Sequence, residues 1–414
     1  RELQGNPDQS QSSRNIQTNV NIMEFKIPFS GRAHAYREDE VSTVVKVMKE
    51  ANPLTQGKYL KAFEKKFCCY IEAEHAFAVC NATAALEISA QLCQFQQGDE
   101  VIIPSHTYTS TAYPFAKKGA RIVWADIDLK TRVVTAETLS KRITPQTKAM
   151  VIPHLYGYGA EMTEIMDLAN KHSLLTIEDA AQALGVEIDG KKAGSFGDFG
   201  VFSFHSHKNI TTLGEGGMLV VKDKNFASMI PQLRHNGHSV FPFEREDYWI
   251  PAMGNLDFPE VNGKTLWPNN YCLGEVECAL GAKMLDRTDS VNLEKRKRAL
   301  KFIDTLSNFP ELEFHRVDSA RHNYHLLVAR AVNGKRDNFI RKMAQERKIQ
   351  CAVQYYPLNR YPLYQKAGFG EADCPNADIF FDSMVSFPFH HWLSDSEFDY
   401  MLESATEALN RLRV

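Results

Sequence analysis

Apolar and polar positions along this chain follow two rhythms that take turns. Short apolar runs, many of them β-branched, fall at 76–79, 100–104, 121–125, 149–153, 174–177, 199–204 and 217–221. Between them the apolar spacing lengthens to three and four residues, the mark of a helix with one buried face, at 84–93, 109–117, 135–143 and 161–172. Two helical stretches precede the first strand: 41–49, with Val41, Val44, Val45 and Met48 on one face, and 60–70. Thr135 stands where a helix cap belongs. Strands without polar alternation are buried on both faces, and their regular interleaving with helices predicts an α/β fold with a largely parallel sheet covered on both sides. Ligands of such sheets collect beyond the carboxyl ends of the strands. Thr83, Tyr108, His154, Asp179 and Lys208 each follow shortly after a predicted strand.

The rhythm breaks over 222–270, which reads as a long irregular loop or insertion. Its part at about 239–267 is rich in aromatic residues (Phe241, Phe243, Tyr248, Trp249), and loops of this length are usually functional or mobile. Beyond Leu273 a helical pattern runs to about Leu306 with a reset near Asp289, and strand and helix patterns then alternate to the end. The expected organisation is a disordered extension over 1–22, rich in Gln, Asn and Ser, a large domain over 23–285 and a smaller C-terminal α/β domain over 286–414.

Bulk properties narrow the function by exclusion. A formal net charge of -3 over 414 residues supplies no basic field for nucleic acid. No apolar run approaches the roughly 20 residues a membrane helix needs. The eight cysteines form no C-x-x-C pair and, without an apolar leader, read as reduced thiols of a cytoplasmic protein. The 14 histidines show no zinc-ligand spacing next to an acid, so no metal is expected.

The candidate chemistry lies at two strand ends. The apolar run through Ile177 finishes in Glu178-Asp179, and the run through Phe204 leads to Lys208 ahead of the turn Gly214-Glu215-Gly216-Gly217. A lysine and a carboxylate so placed suit pyridoxal 5'-phosphate: the amine holds the aldehyde as a Schiff base, and the acid keeps the pyridine nitrogen protonated so that the ring draws off electrons. Taken alone, Asp179 also reads as a helix cap.

Ordered motifs sharpen this reading. They are Gly57-Lys58-Tyr59, Asn81-Ala82-Thr83-Ala84-Ala85-Leu86, Gly98-Asp99-Glu100-Val101-Ile102-Ile103-Pro104, His154-Leu155-Tyr156-Gly157, Glu178-Asp179-Ala180-Ala181-Gln182, Ser203-Phe204-His205 with Lys208-Asn209, Asn270-Tyr271, Gly274-Glu275-Val276 and Tyr356-Pro357-Leu358. In this order, from about Ile27 to Leu412, the chain resembles the DegT/StrS-like (DegT/DnrJ/EryC/StrS) sugar aminotransferases of the aspartate-aminotransferase fold, fold type I.

The resemblance implies a seven-stranded sheet and a set of roles. Lys208 would bind the cofactor and then relay the substrate proton, while Asp179 would face the ring nitrogen. Thr83, Ala84 and Ser203 would hold the phosphate, Tyr108 would stack on the ring, and Gln182 would bond near the ring oxygen or the sugar. Asn270 would reach the phosphate of a neighbouring subunit, making the working unit a homodimer with shared sites. His154 and Tyr356 are candidates for lining the substrate pocket, and His154 reads equally well as structural. Two positions depart from the pattern: Ala82 stands where glycine is usual, and Cys272 where arginine is frequent. The implied reaction passes an amino group from glutamate or glutamine to a keto sugar on a nucleoside diphosphate, for polysaccharide, lipopolysaccharide or antibiotic sugars. The alternatives are a dehydratase of the same family, which carries histidine in place of the lysine, and a regulatory or binding protein on the same scaffold.

Overall fold

The computed structural model describes residues 23–239, 254–256, 258, 260–261, 263–315 and 321–412. The expected disorder of 1–22 and the aromatic residues of the insertion lie outside them.

Seven strands form the main sheet: β1 (Ala76–Val79), β2 (Glu100–Pro104), β3 (Arg121–Ala125), β4 (Thr147–Pro153), β5 (Leu175–Asp179), β6 (Phe199–Ser203) and β7 (Gly217–Val221). Their order is β1-β7-β6-β5-β4-β2-β3, and only β7 runs against the others. Residues of β2, β6 and β7 are buried throughout, as continuous apolar runs in a two-sided sheet require. Helix α1 (Glu38–Glu50), α2 (Lys58–Ile71), α3 (Ala82–Cys93) and α4 (Met162–His172) follow the predicted stretches to within a few residues at each end. Phe63 and Phe67 of α2 meet Phe204 and Phe202 at 5.4 and 5.0 Å between ring centroids, which fixes α2 on the sheet.

One expectation is corrected. Residues 222–270 are not irregular from their start, because Lys224–Leu233 form α5. Asp223 caps it, accepting the N–H groups of Asn225 and Phe226 at 2.8 and 2.9 Å. Pro231, which argues against a helix, sits two residues from its end and so removes little of the hydrogen-bond ladder.

After α6 (Glu275–Leu285) and α7 (Thr288–Leu306), a three-stranded antiparallel sheet forms from β8 (Leu312–Glu313), β9 (Leu327–Ala331) and β10 (Met384–Phe387). Helices α8 (Arg336–Arg347), α9 (Pro375–Ser383) and α10 (Asp395–Asn410) accompany it. Helix α7 serves both sheets. Near its start Asn292 donates to the Leu184 carbonyl at 2.9 Å, and near its end Phe302 packs on Phe387 at 4.8 Å. The amino-terminal segment joins this second part, since Ile27 and Gln350 pair through their backbones.

Candidate active site

Beyond the carboxyl ends of β1, β4, β5 and β6 lies a cavity of about 600 Å³, a size suited to a small-molecule site. Its walls include Thr83, Tyr108, His154, Asp179, Gln182, Ser203 and Lys208, so seven predicted residues from five separate stretches of sequence meet there.

Lys208 follows β6 in a turn held by two bonds. Its N–H donates to the His205 carbonyl at 2.8 Å, and its own carbonyl accepts from His34 Nε2 at 2.7 Å. A carbonyl only accepts, so Nε2 of His34 carries the hydrogen, and burial pushes this imidazole down to about 3, which keeps it neutral. Burial also lowers the Lys208 ammonium to about 8, and the Asp179 charge opposes the shift. An amine poised there is available as a base near neutral pH.

Asp179 ends β5. Thr111 Oγ1 donates to its Oδ2 at 2.7 Å, and the Ala181 N–H donates to Oδ1 at 3.2 Å. A carboxylate that accepts on both oxygens is held ionised. It is therefore fitted to face a protonated ring nitrogen. The adjacent Glu178 is turned the other way and is wholly structural: it accepts from the N–H groups of Gly194, Phe196 and Gly197 at 2.8, 2.7 and 2.8 Å, and from His154 Nε2 at 3.0 Å. His154 also accepts the Ala160 N–H on Nδ1 at 3.1 Å, so it offers the cavity a ring face and no free nitrogen.

The start of α3 closes one end of the cavity. Asn81 caps the helix by accepting the Ala84 N–H at 2.9 Å, and Thr83 Oγ1 donates to Ser110 Oγ at 3.0 Å. Asn81, Ala82, Thr83, Ser110 and Ser203 all border the cavity at this end. Helix N–H groups with clustered hydroxyls are the donor set an anionic phosphate needs. Ala84 itself is buried away from the cavity with its N–H taken by Asn81. The turn comes close to β7: a Cβ on Gly217 would stand 2.5 Å from the Asn81 carbonyl carbon, so only glycine fits there. The turn accepts Ala82 with ordinary helical backbone, which settles the departure noted at that position.

Two predicted residues are elsewhere. Tyr356 does not line the cavity: it is 37% exposed and packs on Tyr361 and Phe381 at 5.0 and 5.2 Å. Its neighbour Tyr355 lines it instead, because successive residues of extended chain face opposite ways. Tyr355 accepts from Gln182 Nε2 at 3.0 Å, and the other end of Gln182 accepts the Tyr156 N–H at 2.7 Å. Asn270 is exposed, bridges to His235, and is absent from the walls of its own chain's cavity. The described residues of 239–267 also stay off those walls; Trp267 and Lys264 bond instead to Gln91 and to the Phe95 carbonyl beside the far end of α3.

Sequence reasoning missed Ser110, Thr111, Tyr355, Lys295, His325 and the segment 29–33, all of which except Thr111 border the cavity. The Glu275 of the Gly274-Glu275 motif proves to be a remote cap: it accepts the N–H groups of Gly57, Tyr59 and Leu60 at the start of α2, at 2.9, 2.8 and 3.1 Å. That pairing explains why the Gly57 and Glu275 motifs occur together.

Comparison with known proteins bears directly on this geometry. The model of the DegT/DnrJ/EryC1/StrS aminotransferase family matches residues 34–406. The chain belongs to that family. Within it, the chain is 31% identical over 398 residues to the spore coat polysaccharide biosynthesis protein SpsC of Bacillus subtilis (strain 168), covering 95% of this chain and 98% of that one. It is 32% identical over 360 residues to the GDP-perosamine synthase of Caulobacter vibrioides, covering 85% and 91%. Among solved structures, Helicobacter pylori PseC, an aminotransferase involved in pseudoaminic acid biosynthesis, superposes with a TM-score of 0.83 at 25% identity over 94% of this chain and 100% of that one. S. venezuelae DesV superposes with a TM-score of 0.79 at 27% identity, covering 90% and 95%. This DegT/DnrJ/EryC1/StrS member is therefore a pyridoxal-phosphate-dependent aminotransferase, and its cavity carries a donor set that fits the cofactor. No helix among the described residues is long and apolar enough to cross a membrane, and the eight cysteines are free.

Proposed function

We propose that this aminotransferase converts a nucleotide-linked keto sugar to an amino sugar, with glutamate or glutamine as amino donor. The observation that carries the reading is the meeting of Lys208, Asp179 and the hydroxyl-lined start of α3 in one cavity. Relatives named for perosamine and pseudoaminic acid synthesis support a sugar as the acceptor.

Pyridoxal phosphate, when bound, supplies an electron-withdrawing ring that stabilises negative charge on the substrate carbon. The protein's residues do the rest. Asp179 holds a proton at the pyridine nitrogen. Thr83, Ser110 and Ser203 hydroxyls, with the first free N–H groups of α3, bind the phosphate and set the ring's position. Tyr108, 55% exposed at the cavity and edge-on to Tyr355 at 6.0 Å, lies on the ring face. Lys208 Nζ is displaced from the cofactor by the donor amine, takes the proton from the donor's α-carbon and returns one at the neighbouring cofactor carbon. With the keto sugar it runs the same transfer in reverse, so the kinetics are ping-pong. His154, with both nitrogens engaged, shapes the pocket through its ring. Gln182 acts by orienting the Tyr355 hydroxyl. Asn270, exposed and away from its own cavity, completes the phosphate site of a second copy in a homodimer.

The test is a panel of nucleotide-linked keto sugars incubated with the enzyme and either glutamate or glutamine, read by mass. An amine product with equimolar 2-oxo acid is expected. A product that has instead lost a hydroxyl, or no product from any pairing, would overturn the assignment.

A further inference from the structure

Lys295 is a second lysine of the cavity, and the chemistry proposed above leaves it unused. It stands on α7, is 6% exposed and lines the same walls as Lys208. Its Nζ donates to the His325 carbonyl at 3.1 Å and lies 5.5 Å from the centre of the Phe389 ring. Burial alone lowers its ammonium to about 7; among the described residues no carboxylate offsets that penalty. The titratable groups around it are bases: His34, His325, His390, His391 and, further along the cavity, Lys208. Burial depresses each of these imidazoles. His325 is tied by Nδ1 to Asn209 Oδ1 at 3.1 Å, and Asn209 follows Lys208 directly. This wall of the cavity is thus linked by side-chain contacts to the reactive lysine, and it contains a buried amine with spare donors and no counter-ion.

A buried amine in a substrate cavity is completed by an anion that arrives with the substrate. Two anions enter this site. The diphosphate of a nucleotide sugar is separated from the reacting carbon by the sugar ring, so it lies toward the solvent, where exposed Arg32 borders the opening. The α-carboxylate of an amino acid is bonded to the reacting carbon itself and must lie deep, close to Lys208. Lys295 is deep. We infer that Lys295 receives the α-carboxylate of the amino-acid donor and so selects the substrate of the first half-reaction. The inference rests on the aminotransferase reading above.

The holoenzyme provides the test. Lys295→Met and Lys295→Arg are compared with the unaltered enzyme in three measurements: bleaching of the cofactor's visible band by glutamate in single turnover, binding of unreactive glutarate by calorimetry, and KM for the keto sugar at saturating donor. A charge-assisted bond of this kind is worth about ten- to a hundredfold in affinity. Lys295→Met should weaken both glutamate and glutarate by that factor and leave the sugar KM within about threefold, and Lys295→Arg should recover part of the loss. Lys295→Gln, which keeps a donor to the His325 carbonyl, serves if the methionine variant does not fold. Unchanged glutamate and glutarate affinity in a folded variant overturns the inference, and so does a defect confined to the sugar KM, which would assign the amine to the diphosphate. If no amino acid bleaches even the unaltered enzyme, the aminotransferase reading fails first, and the two failures are told apart.

Discussion

The two sides of the cavity are built on different principles. On the side of the seven-stranded sheet every ionised group is answered: Asp179 by Thr111 and Ala181, Glu178 by three backbone N–H groups and His154. On the side of α7 and the second sheet, Lys295 and the depressed imidazoles of His325 and His390 meet no carboxylate on the cavity wall beside them. A side that is internally satisfied can hold a resident cofactor in one pose. A side left with unanswered cationic capacity takes its missing partners from substrates that come and go.

The largest effect should come from the satisfied side. Lys208→Ala removes both the anchoring amine and the proton carrier, so turnover should fall by at least about a thousandfold, the scale of a lost general base. The cofactor's phosphate contacts remain, so equilibrium dialysis should still detect bound pyridoxal phosphate, now released readily. A variant that keeps a tenth of the activity would show that another residue moves the proton.

Next is Glu178→Ala. It would leave three buried N–H groups and His154 without their acceptor, a loss on the order of 3–5 kcal/mol of folding stability. Chemical denaturation of the apoprotein checks this. If stability changes by less than about 1 kcal/mol, the sheet side is less tightly determined than its hydrogen bonds indicate.

The same contrast explains what could be read from the sequence. Strand ends announce themselves locally, since an apolar run that stops at an acid or leads into a Gly-rich turn is visible in ten residues, and both Asp179 and Lys208 were found that way. All seven strands of the main sheet were placed to within about three residues at each end for the same reason. Lys295 has no such signal: within Asn292-Leu293-Glu294-Lys295-Arg296 it looks like any lysine on a charged helix, and only the packing of α7 against both sheets turns it inward. Tyr355 and Tyr356 could not be separated, because which of two adjacent tyrosines faces a pocket depends on how the strand-like segment is seated. Helix α5 was lost to Pro231, whose position near the helix end, unknown beforehand, makes it tolerable.

A smaller effect probes the side of α7 through pH. The ammonium of Lys295 titrates at about 7 in the fold against 10.5 when exposed. Between these values the unfolded chain binds more protons, so this group makes the protein more stable as pH rises from about 7 to 10.5, and the gain is absent below 7. Lys295→Met removes that dependence. The variant should exceed the parent in stability by about 2 kcal/mol or more at pH 6, and the gap should close toward pH 10. A gap that does not change with pH would mean that the amine is already neutralised by an acid.

The least effect separates two neighbours. Tyr355→Phe deletes the hydroxyl that Gln182 donates to, leaving that amide short of one acceptor at the cavity wall. The expected cost is about 0.5–1.5 kcal/mol, felt as a severalfold rise in substrate KM, because the hydroxyl borders the cavity while its ring is held by Tyr108 and Tyr156 at 6.0 and 6.1 Å. Tyr356→Phe removes a hydroxyl from a ring that packs on Tyr361 and Phe381 outside the cavity, so both KM and stability should stay within about 0.5 kcal/mol of the parent. Steady-state kinetics on the pair decide the matter: if the effect falls on Tyr356 and spares Tyr355, the segment is seated one residue out of step, and the wall opposite Lys208 must be redrawn around the other tyrosine.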